Sequence, residues 1–174
     1  MKHMMIQKVL SQLQTFAHHN KLWGLIYYWV PPIVIMTTIF HLSGKVGIAV
    51  THEFTTDFLI FKTLHMLEYG LLLFLVFRAL FWSTRQFIPS ASSHKTFVEL
   101  TPEELNSLLL LSFLITLTYA ISDEIHQTYV ISRDGSFRDI FVDSIGMLTM
   151  VFFIKQAFAK KLKYLSWRTF QNFL

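Results

Sequence analysis

Four apolar stretches limit what this chain can become: Leu22 to Leu42, Phe58 to Trp82, Leu105 to Ile121 and Ile140 to Phe158. A bilayer's hydrocarbon core is about 30 Å thick and takes about 20 residues of helix to cross. Inside it every backbone N–H and C=O must be satisfied without water, which leaves helices or closed barrels. Segments of this length are helical spans rather than strands. The chain is therefore read as an all-α integral membrane protein, a bundle of four transmembrane helices. Composition agrees, because 53% of the 174 residues are apolar and 15% are charged, against roughly a quarter charged in soluble domains. The excess apolar surface has to face lipid.

Local signals bound these helices. Pro31 and Pro32 fall near the middle of the first stretch, where the missing donors and the ring clash predict a kink within one element. Thr101, Pro102 and Glu104 supply an N-cap, a first-turn proline and a capping-box carboxylate, so the third helix starts near Pro102, with its tail continuing past Ile121. Asp134, Gly135 and Ser136 form a turn into an N-cap with Asp139 at the third helical position, which starts the fourth helix near Phe137.

Charge sets the orientation. Lys2, Lys8, Lys21, Arg85, Lys95, Lys155, Lys160, Lys161, Lys163 and Arg168 fall on the side of the termini, whereas the other two loops hold mainly Lys45, Arg133 and Arg138 and are richer in acids. The positive-inside rule then makes both termini cytoplasmic. Residues 1–20, with Met5, Val9, Leu13 and Phe16 at helical spacing, read as an interfacial amphipathic segment, not a cleavable signal. Residues 21–158 form the membrane domain, and residues 159–174, with Tyr164, Trp167, Phe170 and Phe173 among basic residues, form a second interfacial segment. The net charge of +4 raises nucleic acid as a partner. That reading is set aside because the basic residues flank apolar spans, where they set topology and meet anionic lipid. With no cysteine, chemistry must rest on oxygen and imidazole groups.

At about 100° per residue, Lys62, His65 and Tyr69 share one stripe of the second helix, with Glu68 beside it. Ser112, Thr116, Tyr119, Asp123, His126 and Gln127 form a stripe on the third helix, with Glu124 around the corner; Asp139, Asp143 and Gly146 line up on the fourth. Ionisable groups are costly in hydrocarbon, so these stripes are expected to meet in one polar cavity, with Arg133 and Arg138 above it to bind phosphate or carboxylate. Thr37 and His41 are expected to line it too. Each group also has a structural reading. His65 serves equally as a helix-to-helix hydrogen-bond partner, Glu68 as an internal ion pair with His65 or Lys62, and Asp139 as a cap carboxylate. The group Asp123, Glu124, His126 and Gln127 is suited to acid–base work or to tying helix ends together. No metal site is expected, since no two histidines lie one turn apart with a third ligand. The residues identify no cofactor.

Taken together, Lys62, His65, Glu68, Tyr69 and Gly70, then Ser122, Asp123, Glu124, His126, Gln127, Arg133, Asp139, Asp143 and Gly146, resemble the VanZ-like family from about Leu22 to Phe158. Many members carry Asp before the lysine and Asn at the place of Asp143; this chain has Phe61 and Asp143. The resemblance implies a small bacterial inner-membrane protein, and the family's namesake is associated with low-level teicoplanin resistance. It implies no known reaction.

Three functions follow as expectations. The first is an envelope-modifying enzyme or enzyme-like site facing outward, taking an anionic lipid, lipid-linked sugar or wall precursor. Its catalytic candidates are His126, Asp123, Glu124, His65 and Asp139; its binding candidates are Lys62, Glu68, Tyr69, Gln127, Arg133, Arg138 and Asp143. His126 is the proton-transfer group in that scheme, oriented by Asp123 or Glu124. The second is a proton- or ion-coupled binding or transport module, which four spans favour as an oligomer. The third is a structural partner in an envelope complex.

Overall fold

The computed structural model describes residues 21–44, 54–87, 100–130 and 135–171, with side chains placed over 21–44, 59–86, 100–130 and 135–161. These residues form four helices in the order α1 (Lys21–Ser43), α2 (Phe54–Phe87), α3 (Pro102–Gln127) and α4 (Phe137–Gln171). No strand occurs among them. The interfacial reading of residues 1–20 lies outside the described residues. At the other end α4 continues without a break past Phe158 to Gln171; no glycine or proline intervenes to stop it.

The start of α3 follows from its cap. Thr101 accepts from the Glu104 N–H at 3.2 Å while the Thr101 N–H donates to Glu104 Oε2 at 2.8 Å, so both halves of the capping box are made. α1 runs as one element through Pro31 and Pro32. The helical partner of the Tyr27 carbonyl would be the N–H of residue 31, which proline lacks. Arg78 of α2 supplies the donor instead, its Nη2 lying 2.9 Å from the Tyr27 carbonyl oxygen.

α2 is the central helix: it packs on α1, α3 and α4, while α3 also touches α1 and α4. Leu72, Leu73, Val76, Leu105, Leu109, Met147, Ile154 and Phe158 form the main core between them. α2 and α4 run side by side in the same direction and approach most closely at Gly70 and Gly146. A β-carbon on Gly146 would overlap the Met66 backbone, including its Cα at 2.8 Å. Here a glycine is required because the facing surface is main chain, which cannot rotate away.

Leu110, Leu111, Leu114, Ile33, Val34, Leu67, Leu71, Phe152 and Phe153 all point outward. Large apolar side chains exposed in this number mark a lipid-facing surface. Lys21–Ser43, Leu59–Gln86 and Pro102–Gln127 are long and apolar enough to cross a membrane, which makes this a multi-pass membrane-type chain. α4 is not among these three; Arg138, Asp139 and Asp143 dilute its first turns.

Candidate functional site

α1 and α3 end, and α2 and α4 begin, at one end of the bundle, and the polar residues of all four helices gather there. Three residues of α2 reach across in sequence. Lys62 makes an ion pair with Asp139, His65 faces Asp143 and Tyr69 donates to Asp123. Their spacing of three and four residues sets this alignment, since such positions share one face of a helix.

Two buried carboxyl groups in this site have opposite surroundings. Asp123, 2% exposed, accepts from Ser43 Oγ at 2.6 Å, from Gln127 Nε2 at 3.1 Å and from the Tyr69 hydroxyl at 3.3 Å. Three donors from three positions make it a fixed acceptor. Asp143 is 1% exposed, yet neither of its oxygens has a hydrogen-bond partner among the described residues. His65 Nδ1 lies 3.5 Å from its Oδ1, within ion-pair range but without hydrogen-bond geometry. The rings of His65 and Tyr69 lie nearly parallel with centroids 6.4 Å apart. A line of polar groups therefore runs Asp143, His65, Tyr69, Asp123 and Ser43 across α4, α2, α3 and α1.

Other candidates are placed differently. Glu124 accepts from the Ser136 N–H at 2.8 Å, tying the end of α3 to the residue that precedes α4, a carboxylate at a helix start. Gly135 permits this approach, because a β-carbon there would overlap the Glu124 carbonyl. Glu68 is half-buried beside the line and is in ion-pair range of neither Lys62 nor His65. The His126 ring stacks on Phe40 with centroids 4.0 Å apart, and its buried Nδ1 has no hydrogen-bond partner among the described residues. The structure thus brings His65, rather than His126, against a carboxyl group. Ser112 and Thr116 are buried and donate to carbonyls of their own helix. Thr37 does the same from an exposed position, and His41 and Ser122 are exposed as well, so Thr37 and His41 do not line the polar site. Arg138 is exposed at the start of α4, and Arg133 lies outside the described residues.

Ser43 was missed by sequence reasoning, since nothing local singles out a serine at the end of an apolar stretch. Arg78 was missed although a charge inside an apolar stretch is itself a signal. Among the described residues no three His, Asp or Glu side chains come together as a metal site requires.

A buried carboxyl group without a hydrogen bond next to an imidazole, joined through Tyr69 to a second carboxyl group held by three donors, is an arrangement suited to proton transfer. The polar residues that build it are those on which the sequence resembles a known family. No curated protein and no solved structure matches the chain. The VanZ/LLP1 family model matches residues 4–159, which include all four helices up to the last part of α4 and every residue of the site, so the chain belongs to the VanZ/LLP1 family.

Proposed function

We propose that this is a multi-pass protein of the bacterial inner membrane whose polar end faces out of the cytoplasm. There it acts on, or binds, an anionic envelope lipid, lipid-linked sugar or wall precursor. The observation that carries the reading is Asp143, buried and without hydrogen bonds beside His65. A buried polar group without a hydrogen bond costs about 1–3 kcal/mol, and such a cost is commonly found where a group must change its protonation state or its partner. His65 takes or gives the proton, Asp143 stabilises the imidazolium, and Asp123 fixes the hydroxyl of Tyr69, whose ring lies parallel to the imidazole. Lys62 and Arg138, with Arg133 from the sequence between α3 and α4, supply positive charge for an anionic headgroup.

The orientation is supported by Lys21, Arg85, Lys155, Lys160 and Lys161, which lie toward the opposite end of the bundle. α4 is taken as the fourth crossing because it lies along α2 and exposes Phe141, Leu148, Phe152 and Phe153. A contribution to glycopeptide resistance follows by analogy with the family's namesake.

The test compares envelope lipids and wall fragments by mass spectrometry in cells making the wild type, His65→Ala or Asp143→Asn at equal levels. A covalent product present with the wild type and lost in both variants is the expected result. Identical profiles in all three remove the enzyme. The same buried pair favours a second reading, proton-coupled movement of an unchanged headgroup, and that reading predicts pH-dependent uptake into vesicles with no new product.

A further inference from the structure

The opposite end of α2 carries a second polar feature that the proposed site does not use. Arg78 and Arg85 are seven residues apart on α2, two turns and about 10 Å along one stripe, with Phe81 and Trp82 between them. The Arg78 guanidinium lies 4.9 Å from the ring centroids of both Tyr27 and Tyr28. Tyr28 stacks on Trp82 at 5.3 Å, and Trp29 Nε1 donates to Ser83 Oγ at 2.9 Å. The Arg85 guanidinium sits 5.5 Å from the Phe81 centroid.

Pro31 explains one bond of Arg78, the donation to the Tyr27 carbonyl, and explains nothing else about it. Among the described residues neither arginine pairs with a carboxylate, and the Nε of each is buried with no hydrogen-bond partner. Guanidinium groups have five donors and cannot shed their charge. Held against aromatic rings in a membrane bundle, two of them call for an anion. The surroundings say which kind. Tyrosine and tryptophan clustered near a helix end mark the depth of lipid headgroups, and the adjoining face of α1 exposes Leu22, Trp23, Leu25 and Ile26. A ligand with a phosphate for the arginines and acyl chains for that face fits both halves of the surface.

We propose that Arg78, with Arg85 as a second donor, binds the phosphate of an anionic membrane lipid in an aromatic seat between α1 and α2, at the end of the bundle opposite the acid and histidine residues. This assignment does not depend on any chemistry at that other end.

Native mass spectrometry of the full chain in detergent tests it, with phosphatidylglycerol, phosphatidylcholine and inorganic phosphate as separate probes. The wild type should retain phosphatidylglycerol over phosphatidylcholine. Arg78→Gln should weaken that retention by about tenfold or more, the factor expected for losing a charge-assisted hydrogen bond, and Arg78→Lys should restore part of it. Lys160→Gln and Lys161→Gln, both exposed on α4, should leave it unchanged. Equal retention of the two lipids by the wild type overturns the proposal, as does undiminished phosphatidylglycerol binding in Arg78→Gln. Displacement of the lipid by millimolar phosphate overturns it in favour of a free-phosphate site. Should Arg78→Gln fail to fold, Arg85→Gln and the wild type's choice between the two lipids decide the matter.

Discussion

Replacing Gly146 by alanine sets two known effects against each other at one atom. In a helix interior alanine is favoured over glycine by up to about 1 kcal/mol, so an unobstructed site would gain stability. At Gly146 the new β-carbon meets the Met66 carbonyl group and its Cα, the latter at 2.8 Å, against a normal carbon–carbon contact of about 3.5 Å. All three opposing atoms are backbone, so no rotamer change relieves the overlap. α2 and α4 have to separate by roughly half an ångström or more. Overpacking costs about 1–3 kcal/mol, contacts this short with backbone atoms call for about 2–3 kcal/mol of that range, and less the gain of about 1 kcal/mol the expected net loss is about 1–2 kcal/mol, close to a tenfold change in the unfolding equilibrium. Gly70→Ala is the internal comparison. Its β-carbon would lie 3.1 Å from the Gly146 carbonyl oxygen and 3.9 Å from the Met150 Cβ, a contact relieved by a few tenths of an ångström, so its net effect should be smaller. Reversible unfolding in mixed micelles, followed by helical circular dichroism, measures both variants. A Gly146→Ala protein as stable as the wild type would refute the close-packing argument, and so would a larger loss in Gly70→Ala.

Two further predictions follow from the hydrogen bonds. Ser43→Ala removes the shortest donor to the buried Asp123 carboxylate, at 2.6 Å, and should cost about 1–3 kcal/mol, more than Tyr69→Phe, whose contact is 3.3 Å; the same unfolding assay ranks them, and a reversed order would show that Tyr69 is the main partner. Thr101→Ala deletes half of the capping box and should cost about 1 kcal/mol, read as lower thermal stability with the proposed envelope chemistry intact.

Much of this architecture is local and was legible without coordinates. The start of α3 follows from Thr101, Pro102 and Glu104, and that of α4 at Phe137 from Ser136, which accepts from the Arg138 and Asp139 N–H groups, because caps are made by residues within four positions of one another. The stripes Lys62, His65, Tyr69 and Asp139, Asp143, Gly146 follow from helical periodicity alone. The need for them to meet follows from the cost of polar groups in hydrocarbon.

Periodicity does not say which member of one stripe faces which member of another, and the structure decided that. Asp123 and Asp143 look equivalent in the sequence, two aspartates on polar stripes. Packing gives Asp123 the Ser43 hydroxyl from 80 residues away and leaves Asp143 with no hydrogen bond beside His65. The same packing turns the His126 ring onto Phe40 and carries Arg78 to a carbonyl that Pro31 left free. Partner choice depends on the rotation and depth at which whole helices dock. Those are set by the Gly70–Gly146 approach and the apolar core together, and no single stretch of sequence contains them.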